Sequence, residues 1–152
     1  MQRHPPDHPH TAPSVSYPTH GTQQYREMQV LTASPARLVV LLYEHLEVTM
    51  RRARLAIDNG QVDQRVQLLG KSRAILSELL GTLDFERGGR IAADLSALYS
   101  FLLAELVDVG RTRDVRHLDR LVGIVHELSL GFTGAAELLE REGHQAALAG
   151  TA

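Results

Sequence analysis

No proline follows Pro35, whereas Pro5, Pro6, Pro9, Pro13 and Pro18 crowd the first 18 residues. Proline lacks a backbone donor and breaks helix interiors, so this distribution divides the chain. The long remainder is open to continuous helix and the first stretch is not. A chain of 152 residues can bury one core and is read as one domain. It has no cysteine, which excludes a disulfide scaffold, a thiolate zinc site and a cysteine nucleophile.

Residues 1–24 are mostly Pro, His, Ser, Thr, Gly and Gln, with Arg3 and Asp7 as the charges. Such a segment cannot bury enough apolar surface to offset its ordering entropy, and a disordered tail is expected. His4, His8, His10 and His20 lie in it, and a solvated tail is preferred over a metal-binding one. The 16 basic and 18 acidic residues nearly balance, which gives no global attraction to nucleic acid or to an acidic membrane. No apolar run approaches the ~20 residues of a membrane span. The N-terminus lacks a signal-peptide pattern. A cytoplasmic protein with no direct membrane insertion and no nucleic-acid partner is expected.

From Ser34 onward the pattern is helical. Ser34-Pro35 starts the first helix, with a side-chain oxygen for a free N–H and a proline where no donor is needed. That helix is expected over 35–58, stopped by Asn59-Gly60. A second is expected over 62–82, a loop over 84–89, and a third over 90–109 with Gly110 as its stop. The fourth starts near Thr112 or Asp114 and reaches about Gly143. Gly131 and Gly134 each cost about 1 kcal/mol inside it. Residues 144–152 are expected to fray, leaving 25–143 as the folded domain. Four amphipathic helices on short connections imply an all-α, antiparallel four-helix bundle, preceded by the tail and a short N-terminal cap segment.

Catalytic patterns are missing. There is no inward Glu-x-x-His, and Glu142 and His144 have the wrong spacing. Asp114 and His117 are three apart, but His117 and His126 fall on opposite rims of the fourth helix and cannot converge within it. Gly88-Gly89 has neither the strand nor the Lys-Ser/Thr of a phosphate loop. Arg51, Arg52 and Arg54 share their helix with Glu44, Glu47 and Asp58, which reads as a solvated mixed face. No enzyme activity, metal or cofactor is expected.

The surplus is apolar surface. The first helix has one broad stripe through Leu38, Leu42, Leu46 and Met50, enough for a core. Leu41, Val48 and Leu55 form a second stripe at heptad spacing, set off by His45 and Arg52. In the third helix, Ile91, Leu95, Leu98, Tyr99, Leu102, Leu103, Leu106 and Val107 span about half the circumference, against the ~100° one core face needs. Phe101 projects separately among Asp94, Glu105 and Asp108. These surpluses predict a groove for a partner's amphipathic or extended segment. A self-associating structural bundle, or an adaptor with another client, would show the same surplus.

The run Tyr25-Arg-Glu-Met-Gln-Val-Leu-Thr32-Ala33-Ser34-Pro35, continuing to the Leu42-Tyr43 pair, resembles the opening of the flagellar secretion chaperone family FliS. Lys71 to Leu79, Leu83 to Ala92 and Leu95-Ser-Ala-Leu98-Tyr99 resemble its next elements in order, and the likeness spans about residues 22–140. The sequence departs from the family where Ser100-Phe101 replaces an Asp-Tyr pair, Ala104-Glu105 a paired Arg, and Phe132 a frequent Trp. The resemblance implies a cytoplasmic, non-enzymatic chaperone. Its partner would be the disordered C-terminal segment of flagellin, kept from premature polymerisation and competent for type III export. A component of the flagellar export gate is implied as a further partner. The client groove would use Leu41, Leu42, His45, Val48, Leu55, Leu95, Leu98, Tyr99, Phe101 and Leu102. Tyr25, Met28 and Val30 would act as an N-terminal cap that gives way to the client.

Overall fold

A computed structural model describes residues 33–151. The expected tail and the cap residues Tyr25, Met28 and Val30 lie outside the described residues. Four helices follow one another: α1 (Pro35–Asp58), α2 (Val62–Gly81), α3 (Phe85–Thr112) and α4 (Val115–Ala149). No strand occurs among the described residues.

Each boundary has a local cause. Ser34 Oγ accepts the Arg37 N–H at 3.2 Å, and Pro35 follows at the first helical position. Gly60, at φ 65°, takes the left-handed conformation that turns the chain into α2. Asp114 Oδ1 accepts the N–H groups of Arg116 and His117 and opens α4. Those bonds, that from His117 foremost, hold its carboxyl below the usual range.

Three boundaries differ from expectation. The segment expected as a loop over 84–89 contains a helical turn, because Asp84 Oδ1 accepts both Glu86 N–H and Arg87 N–H at 3.1 Å. The turn is separated from the rest of α3 by Gly89, at φ 48° and ψ −121°. A side chain at Gly88 would place its Cβ 2.8 Å from that of Ala92. The glycine pair therefore serves a kink and a close approach. At its other end α3 runs through Gly110 to Thr112 and stops at Arg113, which is left-handed at φ 58°. Finally, α4 is helical past Gly143, to Ala149. Residues 144–149 are rich in Ala, Gln and Leu, good helix formers that need no packing partner to extend an existing helix.

The helices form a ring in which α1 neighbours α2 and α4, and α3 neighbours α2 and α4. Of the four neighbouring pairs, α3 and α4 approach least closely. Arg54 pairs with Asp119, Glu47 with His126 and Arg37 with Glu140, so α1 and α4 run antiparallel. The core lies on the ring axis. Leu46 and Met50 of α1, Leu76 and Leu79 of α2, Leu102 and Leu106 of α3, and Leu118 and Val125 of α4 are all fully buried. By length and composition alone α4 is apolar enough to cross a bilayer, although charged residues interrupt it. Its Leu118, Leu121, Val122 and Val125 form a wall of the core.

Two tyrosines meet inside that core. The hydroxyls of Tyr43 and Tyr99 hydrogen-bond to each other, and Phe132 stacks on Tyr43 with ring centroids 5.0 Å apart. Burial raises the pKa of both phenols above the ordinary value, which favours the neutral hydroxyls.

Candidate functional site

The seam between α3 and α4, the least closely packed of the four, exposes apolar surface among the described residues. Glu105 of α3 meets His117 of α4, which marks the facing edges of the two helices. Leu98 and Ile91 lie one and two heptads before Glu105 and share its edge. Ile124 and Gly131 lie one and two heptads after His117 and share the opposite edge. Leu95, Leu98, Ile124 and Leu128 are partly buried against the core and form the floor. Ile91 is 71% exposed and Phe101 47%, and both stand at the rim. A side chain at Gly131 would meet nothing within 4 Å, so this position widens the groove.

One end of the groove deepens into an apolar cleft of about 190 Å³, lined by Val39, Leu83, Ile91, Leu95, Tyr99 and Phe132 among others. The other end is polar. There His117 contacts Glu105, and its Nδ1 lies 3.8 Å from Asp108, which in turn pairs with Arg111 at 2.7 Å. The two carboxylates address opposite nitrogens of the imidazole, so they do not converge on one point. Among the described residues no group of three His, Cys, Asp or Glu side chains is arranged for a metal. Nor do His117 and His126 come together. His126 instead bonds Glu47 at 3.0 Å, across the seam between α1 and α4. Burial opposes ionisation of Glu47, but the hydrogen bonds from Arg51 and His126 together overcome it and hold its carboxyl below the usual range.

The residues read from the sequence as one groove separate in the structure. Leu95, Leu98 and Phe101 belong to the seam between α3 and α4. Leu102 is fully buried and Tyr99 1% exposed, so both are core residues, because the face of α3 carrying 99, 102, 106 and 109 points to the ring axis. Tyr99 reaches only the floor of the cleft. Leu42 is partly buried against the core. Val48, 46% exposed, and Leu55, 57% exposed, lie with Leu41 and His45 along the outer side of α1 toward α2. In the ring that seam is opposite the seam between α3 and α4. The two rows therefore do not make one continuous groove. Sequence reasoning passed over the α4 wall, namely Ile124, Leu128, Gly131 and Phe132. Leu128 and Phe132 fall at helical spacing on one face of α4, but nothing in one helix tells which neighbour such a face meets.

The model of the family described as flagellar protein FliS matches residues 18–138. This chain belongs to the FliS family. Among its FliS relatives, a flagellar secretion chaperone FliSB from Pseudomonas aeruginosa is 34% identical over 108 residues, covering 71% of this chain and 86% of that protein. A flagellar secretion chaperone FliS from Salmonella typhimurium is 30% identical, covering 68% of this chain and 77% of that protein. A solved structure described as a flagellar chaperone from bacteria superimposes with a TM-score of 0.64 at 23% identity, covering 78% of this chain and 96% of that one. It shares the fold of this FliS-family chain.

Proposed function

We propose that this chain is a cytoplasmic flagellar secretion chaperone that binds the disordered C-terminal segment of flagellin. It covers that segment, prevents premature polymerisation and keeps the client competent for type III export, with an export-gate component as a further partner. The observation that supports the reading is the groove between α3 and α4, open among the described residues, in a chain of the FliS family. The groove has an apolar floor, two large exposed side chains at its rim and a cleft at one end, which suits an amphipathic helix ending in a bulky apolar anchor. Fully covering a side chain such as Ile91 or Phe101 contributes about 1.5–3 kcal/mol. A few such contacts offset the roughly 2–5 kcal/mol that ordering a disordered client costs. The work of such a groove is binding.

The test is titration of a flagellin C-terminal peptide by isothermal calorimetry. Ile91→Glu puts a charge on an exposed rim, so the helix content should stay while affinity falls about tenfold or more. Phe101→Ser should weaken binding less, and Gly131→Leu should obstruct the groove. Retained affinity in Ile91→Glu and Gly131→Leu would remove this groove as the client site. Loss of helicity would mean that these positions are core. Tyr25, Met28 and Val30 are proposed as a displaceable cover of the client surface. A chain starting at Thr32 should bind the peptide more tightly or melt at a lower temperature, and no change in either removes the cover from the proposal.

A further inference from the structure

The seam between α1 and α2 has a different chemistry from the client groove and lies on the opposite side of the ring. Its cleft, about 410 Å³, is lined by Arg52, Leu55, Asn59, Gln61, Gln64 and Gln67, with Ala56 and Leu68 behind them. Among the described residues no acidic side chain lines it. Asp58, nearby in sequence, is engaged by Arg54 at 2.7 Å. Lys71 continues the α2 edge that carries Gln64 and Gln67, one heptad after Gln64. Arg51 and Arg54 of α1 are each held by a carboxylate, whereas Arg52 and Lys71 have no ion-pair partner among the described residues. Amide groups offer backbone-like hydrogen bonds, and the exposed Leu55 and Val48 form an apolar ledge beside them.

We propose that this seam is a second docking surface, for a short acidic segment of a partner protein with interspersed apolar residues, bound in extended form. The side chains of Arg52 and Lys71 meet its carboxylates, the glutamines its backbone, and Leu55 with Val48 its apolar residues. Because the two seams face opposite ways, the surface is available while flagellin occupies the groove. The inference rests on the chaperone reading only for that last point.

The test uses the full chain and a fluorescein-labelled peptide of sequence Asp-Glu-Leu-Asp-Glu-Leu-Asp, followed by fluorescence anisotropy. A control peptide has every acid replaced by its amide. The acidic peptide should bind about tenfold more tightly than the control, and the Arg52→Glu/Lys71→Glu double variant should abolish that difference. Leu55→Ser should weaken binding of both peptides. Raising the salt from about 50 mM to about 300 mM should narrow the gap between them. Both charged positions are exposed, and circular dichroism checks that the variants keep their helix content. Equal affinity for the two peptides, or indifference to the double variant, overturns the acidic-segment reading. Displacement of the peptide by a flagellin C-terminal segment, or its loss in Ile91→Glu, overturns the independence of the seam and assigns it to the client's path. The client groove fails separately, if Ile91→Glu leaves flagellin affinity intact.

Discussion

Removing the hydroxyl of Tyr43 should cost more than removing both hydroxyls of the buried pair costs per group. The Tyr43 and Tyr99 hydroxyls bond each other in a core where Tyr43 is 0% and Tyr99 1% exposed. In Tyr43→Phe the ring stays, and with it the stack on Phe132, so packing is nearly unchanged. The Tyr99 hydroxyl is then left buried without its partner, which costs about 1–3 kcal/mol. Tyr99→Phe should cost a similar amount for the same reason. In the double variant nothing is left unsatisfied, so both penalties disappear and its loss should fall short of the sum by about 2–6 kcal/mol. For a domain of this size each kcal/mol corresponds to roughly 3–5 °C in melting temperature. Urea unfolding followed at 222 nm, with all four members of the cycle, measures the coupling. Additive losses, or single variants as stable as the parent, would refute the argument. They would mean that the hydroxyls reach water through the adjacent cleft.

Gly134→Ala should stabilise the bundle by about 0.8–1 kcal/mol in the same assay, since Gly134 is helical and a Cβ there meets nothing within 4 Å. Glu47 makes stability depend on acid. Its carboxyl titrates lower in the folded chain than its ordinary value of 4.5, so the contribution is fully present above that value and is lost as pH falls through the folded one. Melting temperature should therefore fall less steeply below about pH 4.5 in Glu47→Gln than in the parent.

The helices and the bundle were legible because their signals are local. Ser34-Pro35, Asn59-Gly60 and Asp114 satisfy or terminate backbone groups within a few residues, whatever the tertiary surroundings. The turn at 85–88 was hidden because Asp84-Phe85-Glu86-Arg87-Gly88-Gly89 is loop-like in composition. Only the Asp84 cap and the open conformation of Gly89 reconcile it with helix. Gly110 misled in the opposite direction. A Cβ there would lie 3.7 Å from Leu69 Cδ1, so Gly110 faces α2 within the helix, while the stop falls on Arg113. The site was half legible. The apolar surplus of α1 and α3 was readable from their own periodicity. Which helices border each surplus depends on the order of the ring, and no single helix records that.

The end of α4 has a consequence for how this chain unfolds in a spectrometer. From Glu137 onward every described residue of the helix is exposed, and beyond the Arg37–Glu140 pair no hydrogen bond or ion pair among the described residues ties it to α1. These last turns are free of the nucleation cost because they extend an existing helix, but they gain nothing from burial. Their helicity should decline gradually with temperature, residue by residue from Ala149 inward, before the bundle gives way as a unit. The ellipticity of the native protein will therefore slope upward well below the cooperative transition. A fit that assumes a flat native baseline would take that slope for early unfolding and underestimate the enthalpy of the core.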